Sequence, residues 1–489
     1  MKALDTHAWV HPISLAYMPG MLTPALRGTL DPLLEWFRDN GCTLQPEPSN
    51  ETDLIITTTR YGVPVERKDA LFFHAKRRYR LRHRPPVLTV IDIPEAEYRR
   101  WLAHFADLAR QAERSETTFQ YPALGPRAVE VLLEQARRGG PEVALGRFLQ
   151  AYLKSFRVMA LRSDERQRPI CAVHFDLAGA HPTTDVGDLP AFAEEVGQRV
   201  LAATCTGEVN NHVFSPDLLP EENWDRLMTP EAMIRAGASF TEFDFFTTPV
   251  SIEKLIGYRD VNEAVSAQYS EGCYATFEPE IPGLITTATG SARLVDKRAI
   301  SRDDQAIIIG LKPERDGAIV KSVAGRARVV PSVEAVEMMG ICQAVPSHLH
   351  VNGDGQAVSV PNARAILHGH LGVAAFDPER VESVTLAAPY YTHLVSCGTG
   401  ALAEGTAAAF ARSEALRNLN DSRAVVFLEQ PGHGVVVVEK WVEGKQPFEV
   451  IHECLTAGHL RMTLDVPQGS VTWKEQRLPG GRIVMQKAG

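Results

Sequence analysis

Glu271, Cys273, Glu278, Glu280, Asp296 and Lys297 fall in one short stretch that otherwise reads as apolar, β-rich and short-turned. Carboxylates embedded in strand-like sequence need a partner, because burying one unpaired is expensive. That partner is a divalent cation, or a Lys or Arg. Glu278 and Glu280 stand two apart, so in a strand they project to the same side, and Asp296 ends the apolar run LVD, which could pair alongside. Two or three carboxylates on adjacent strand ends make a hard-oxygen site for Mg²⁺ or Mn²⁺. The plain alternative is a solvent-facing Glu pair, with Asp296 held by Arg293 or Lys297.

Two alternating histidine pairs, His348-Leu349-His350 and His368-Gly369-His370, supply imidazoles of matching geometry. In a strand an H-x-H pair aims both rings to one side, and in a turn it can chelate one ion. Imidazole together with carboxylate suits Mn²⁺, Fe²⁺, Co²⁺ or Zn²⁺. The competing reading puts His348 and His350 in a surface loop and His370 at a strand end. A third constellation is Cys397-Gly398-Thr399-Gly400, between the strand-like HLVS and an alanine-rich helix. Gly398, Thr399 and Gly400 read first as a tight structural turn, and as the lesser alternative they would present free N–H groups and a helix dipole to an anion. Cys273 is a poor thiolate candidate, since neighbouring carboxylates raise a thiol pKa.

These groups need elements to position them. Ile13–Tyr17 reads as a short strand, and Asp53–Thr59 and Pro86–Ile93 are short apolar runs of the kind found in strands buried on both faces. Thr23 caps a helix with Pro24 in its first turn, and Gly41 closes it. Strand, helix and strand in this order predict a parallel, doubly wound sheet. Helical periodicity fills 95–155, strand signals resume at Phe156–Ala160 and Ile170–Leu177, and a helix follows from Leu189. From Tyr274 onward short strands with Gly turns dominate, and PGHG (431–434) reads as a hairpin tip. The expectation is α/β, with two doubly wound, Rossmann-like units (1–155 and 156–265) followed by a mixed, mainly antiparallel β domain over 266–489.

The totals set limits on function. A chain of 489 residues exceeds one ordinary core, and its 44% hydrophobic and 23% charged content is that of a globular protein. A net charge of −9 argues against a nucleic-acid partner bound through bulk charge. The basic run Lys76–Arg84 reads as a solvated face or a subunit contact, which leaves room for a homo-oligomer. No apolar run approaches the ~20 residues that span a bilayer, and the first residues lack a secretory pattern. A cytoplasmic location without a membrane partner is therefore expected. Seven dispersed cysteines without a C-x-x-C pair read as reduced thiols.

The domain order resembles that of the L-fucose/L-arabinose isomerase-like family, and two stretches carry the likeness: ATFEPEIPGLITTATG (275–290) and RLVDK (293–297). The resemblance implies two α/β domains, a barrel-like C-terminal domain and Mn²⁺ for aldose–ketose isomerisation. Glu278 or Glu280 would match the first acidic ligand, Asp296 the second, and His348, His350, His368 or His370 the histidine. The implied reaction runs on a small sugar or polyol through an ene-diolate, with Glu278 or Glu280 shuttling the proton. A non-catalytic small-molecule-binding or scaffold protein is the competing class. A phosphate-handling transferase using the 397–405 turn is a third.

Overall fold

The computed structural model describes residues 13–61, 78–81, 85–113, 156–163, 169–176, 179–180, 184–185, 187–205, 211–243, 245–246, 272–289, 297–387, 400–431, 433–463, 467, 471–478 and 482–487. The helical signals at 66–77 and 114–155 lie outside these residues. The chain forms a mixed α/β fold in two compact units. One comprises Met1–Gly207 and Pro249–Ala267; the other comprises Glu208–Thr248 and Gln268–Gly489.

In the first unit β1 (Ser14–Met18), β2 (Thr43–Gln45), β3 (Leu54–Arg60), β4 (Val87–Pro94) and β5 (Phe156–Arg162) lie in the order β2-β1-β3-β4-β5 and run parallel. β6 (Pro169–Asp176), β7 (Gly179–Ala180) and β8 (Thr184–Asp185) extend the sheet antiparallel. The apolar runs in β3, β4 and β5 are buried along almost their whole length, as strands covered on both faces must be. Helix α1 (Pro24–Asp39) starts as the sequence predicts, with the Thr23 hydroxyl accepting from the Leu26 N–H. That hydroxyl also donates to Asp92 Oδ2 at 2.8 Å, and Arg162 pairs with the other oxygen of the same carboxylate at 2.9 Å. Helix α2 (Glu95–Glu113) follows β4, and α3 (Leu189–Cys205) packs on α1, where the Trp36 ring occupies the space a Cβ at Gly197 would need. The strand at Phe156, expected to open a second α/β domain, hydrogen-bonds to β4 within this one sheet. The expected boundary at 155–156 therefore falls inside a sheet, which accounts for the missing Pro/Gly/Ser linker there.

The second unit is built on a largely antiparallel nine-stranded sheet. From β9 (Val213–Phe214), helix α4 (Thr229–Thr241) leads to β10 (Cys273–Glu278), β11 (Gly283–Thr287), β12 (Gln305–Leu311) and β13 (Ala318–Lys321). Helix α5 (Ala335–Ala344), the ribbon β14 (Ser347–Val351) and β15 (Ala357–Pro361), β16 (Ala363–Gly369), β17 (Gly372–Phe376) and β18 (Val381–Val384) come next. After α6 (Gly400–Ala411) the chain closes with β19 (Val425–Gln430), β20 (Gly434–Lys440), α7 (Glu449–Thr456), β21 (Leu460–Thr463), β22 (Trp473–Arg477) and β23 (Ile483–Lys487). The large sheet runs β18-β19-β20-β16-β10-β11-β12-β13-β9, and a smaller sheet runs β21-β17-β23-β22.

Strand alternation assigns the two faces of the large sheet. Cys273, Ala275, Ile366, Val426, Leu428, Val436 and Val438 face α5 and α6, packing with Val336, Met339, Leu402 and Phe410. Tyr274, Leu367, Phe427, Val435 and Val437 face the other way, onto Phe240 of α4 and onto Phe448 and Ile451. Among the described residues no helix is long and apolar enough to cross a membrane.

Candidate metal centre

At one end of the large sheet, on the face covered by α5 and α6, three imidazoles converge. His368 lies in β16, opposite Cys273 of β10 and Val436 of β20. His370 follows directly after β16, and His433 occupies the turn before β20, where its backbone N–H donates to the Gln430 carbonyl at 3.0 Å. Their ligand nitrogens all lie within 4.8 Å of one another, and His368 and His433 are buried while His370 is partly exposed.

Glycines permit this convergence. A Cβ on Gly434 would sit 2.1 Å from the Gly369 carbonyl oxygen, so β20 meets β16 at this point only because residue 434 has no side chain. Gly272, at φ +74°, would place a Cβ 2.6 Å from the Phe245 carbonyl and 2.8 Å from that of His368. It thereby brings the start of β10 against the same spot.

His368 Nδ1 lies 3.0 Å from the Val435 carbonyl oxygen. An oxygen there obliges Nδ1 to carry the proton and leaves the lone pair on Nε2, the protonation pattern of a metal-ligating histidine. A tetrahedral ion with bonds of ~2.0–2.1 Å needs its nitrogens roughly 3.3 Å apart. Nitrogens within 4.8 Å of one another reach that spacing by shifts of about 1 Å at each ring, within the reach of side-chain rotation. Among the described residues the group contains no carboxylate, and its ligand set is all imidazole.

A polar network lies on the same helix-covered face. Glu337 of α5 is buried and accepts from Gln430 Nε2 at 2.9 Å, and that nitrogen also donates to Thr406 Oγ1 at 3.0 Å. Burial, with the like charge of Glu334 nearby, pushes the Glu337 carboxyl up to about 8, so it is protonated at neutral pH. Glu334 accepts from Ser332 Oγ at 2.5 Å and lies 3.9 Å from Cys273 Sγ. Burial and the Glu334 charge hold the Cys273 thiol well above its ordinary pKa, so it is not a thiolate. Lys297 is buried beside this network, and desolvation lowers its pKa to about 8.

The acidic ligands expected from the sequence do not assemble here. Glu278 is the last residue of β10, five residues from Cys273, which at about 3.4 Å per residue places it ~17 Å along the strand from His368. The strand also ends there, so Glu278 and Glu280 do not share a face. Glu278 is buried and accepts from the Glu280 N–H at 2.9 Å, with burial raising its pKa. Glu280 is exposed and accepts from the Gly353 N–H beyond β14.

His348 and His350 do project to one side, but onto the Trp441 ring, with centroid separations of 5.7 and 4.9 Å. His348 Nδ1 is further engaged with Asn362 Oδ1 at 2.9 Å. Only His368 and His370 of the four expected histidines enter the centre. Asp296, Gly398 and Thr399 lie outside the described residues, and Gly400 opens α6. Sequence pattern places His433 only in a hairpin tip. Its signal is a histidine flanked by glycines at a turn, which becomes informative only once β20 is paired with β16. No family model matches the chain, and no curated protein matches it significantly in sequence.

Proposed function

We propose that the second unit houses a metal-dependent enzyme centre acting on a small molecule, with His368, His370 and His433 as the ligands and proton transfer as the reaction class. The observation that carries this reading is the set of three imidazole nitrogens within 4.8 Å where β16 and β20 meet. Three neutral nitrogens suit Zn²⁺, Co²⁺ or Fe²⁺ better than the Mn²⁺ expected from the sequence, which prefers oxygen. Bound there, the ion supplies Lewis acidity toward a carbonyl or hydroxyl oxygen. Glu337 stays protonated at neutral pH and can donate a proton, while Gln430 holds its carboxyl in place. The isomerase-type reading therefore moves the proton-transferring carboxyl from Glu278 or Glu280 to Glu337.

Elemental analysis of the purified protein, with metal uptake by wild type and by His433→Ala, tests this. One equivalent of metal in the wild type and none in the variant supports the centre. Hydrogen–deuterium exchange into carbonyl compounds in D₂O, present in wild type and lost in Glu337→Gln, supports the reaction class. Equal metal uptake by wild type and His433→Ala sinks the reading. The all-imidazole ligand set also favours a second chemistry, activation of water in an open fourth position. Hydration or hydrolysis without carbon-bound deuterium would select it.

A further inference from the structure

Lys297 begins a single 3₁₀ turn, Lys297–Ala299, and is only 3% exposed. Its backbone is held against α4, where a Cβ on Gly237 would crowd the Lys297 carbonyl oxygen. Its ammonium sits 5.9 Å from the centre of the Phe246 ring. That ring closes on Gly272, where a Cβ would meet it at 3.0 Å, and Gly272 in turn abuts the His368 carbonyl. Lys297 thus stands by the start of β10, where Cys273 pairs with His368 of β16.

Two other buried cations among the described residues have ion-pair or hydrogen-bond partners. Arg162 pairs with Asp92 at 2.9 Å, and Lys440 donates to the carbonyls of Asn418 and Asp421 at 3.2 and 2.7 Å. Among the described residues, nothing accepts a hydrogen bond or forms an ion pair with the Lys297 ammonium. Cys273, Glu334 and Asp304 act on it only at longer range, and the two carboxylates are already engaged, Glu334 by Ser332 and Asp304 by Ser301. A pKa of about 8 leaves roughly nine-tenths of the amine charged at pH 7. A buried charge in this state calls for a counter-ion.

We propose that Lys297 anchors an anion in the centre described above, and that the ligand is a small carboxylate with an oxygen on the adjacent carbon, an oxo or hydroxy acid. The inference rests on the metal reading for the second half of the ligand. Three neutral imidazoles leave the full charge of a divalent ion uncompensated, and Glu337 adds none while protonated. A neutral sugar would leave that charge in place, whereas a carboxylate offsets it and satisfies the ammonium.

The test is calorimetric titration of the full chain, loaded with Zn²⁺ or stripped with EDTA, using oxalate as the probe and oxamide as its neutral counterpart. Wild type is expected to bind oxalate at least tenfold more tightly than oxamide. Lys297→Met should lose at least tenfold in oxalate affinity with zinc stoichiometry unchanged, and Lys297→Arg should retain most of the affinity. Lys297→Gln repeats the neutral substitution with a polar side chain, should the Met variant fold poorly. Oxalate bound no better than oxamide, or equally by wild type and the neutral variants, overturns the proposal. Lys297-dependent oxalate binding in a protein that takes up no zinc keeps the anchor and removes the metal reading. Zinc uptake with oxalate binding indifferent to Lys297 does the reverse.

Discussion

Replacing Glu337 by Gln should change how stability depends on pH, in a direction fixed by its surroundings. The carboxyl is buried against Gln430, and burial raises its pKa from 4.5 to about 8. In the unfolded chain the group ionises near 4.5; in the folded chain it does so near 8. Below about 4.5 both states hold the proton and the group contributes fully. As pH rises from 4.5 to 8 the unfolded state gains by ionising, and stability falls until the folded state ionises as well. At roughly 1.4 kcal/mol per pKa unit, the full loss is on the order of 5 kcal/mol. The amide that replaces the carboxyl is neutral throughout and keeps an oxygen for the Gln430 side chain, so the variant escapes this loss. Urea unfolding between pH 4.5 and 9, read by hydrogen exchange in peptides spanning β19 and β20, reports on the second unit alone. Wild type and Glu337→Gln should match near pH 4.5, and the variant should lead by a few kcal/mol at pH 8.5. A difference that stays flat, or that moves in favour of wild type as pH rises, would refute the reasoning. It would mean that Glu337 is ionised in the folded protein and has a cationic partner.

Metal loading should raise the melting temperature of wild type, with about 2.7 kcal/mol gained at a hundredfold excess of ion over Kd; EDTA should reverse the gain, and His370→Ala should abolish it. Glu280→Gln should leave metal uptake and the EDTA response unchanged, since Glu280 is exposed and engaged by Gly353; loss of metal in that variant would restore the acidic site expected from the sequence. Gly434→Ala places a Cβ 2.1 Å from a backbone oxygen of β16, so it should cost about 2 kcal/mol or more in chemical denaturation and weaken metal binding through the displaced His433. Glu439 accepts from the N–H groups of Phe448, Val450 and Ile451 at 2.9, 2.9 and 3.0 Å, where the chain enters α7. Glu439→Ala should therefore cost about 1–3 kcal/mol by leaving buried donors unpaired, and a melt equal to wild type would contradict that role.

The parts of the fold that were legible in the sequence are those written in local pattern. β3 and β4 stand out as apolar runs because both of their faces are covered, and α1 announces its start through Thr23 and Pro24. The change at Tyr274 to short strands with Gly turns marks the antiparallel part of the second unit. What was hidden depends on pairing between distant segments. His368 and Val436 are direct neighbours only through the β16–β20 register. No local feature of PGHG says that its histidine will face the distant H-G-H. Glu337 reads as an ordinary polar residue in an apolar helix, and only the packing of α5 and α6 over β19 turns it into a buried acid. The acidic stretch misleads for a related reason: a spacing of two places side chains on one face only while the strand continues, and it ends at Glu278, before Pro279.

Packing explains why the centre sits at this end of the sheet. In the middle of β16, Ile366 and Leu367 are sealed by neighbouring strands and by helices, so a polar group there would cost more than it could return. At the strand ends the backbone turns, glycines replace side chains, and Gln430, Glu337 and Thr406 can satisfy one another at the edge of the apolar core. On the proposed reading, a bound ion and a bound anion complete the imidazoles and the buried amine there. A centre completed in this way predicts coupling: metal and oxalate should each tighten the binding of the other by the same factor. Titrating zinc at fixed oxalate, and oxalate at fixed zinc, measures both factors. Unequal factors would mean that the two ligands do not share one equilibrium, and factors of one would place Lys297 and the imidazoles in separate sites.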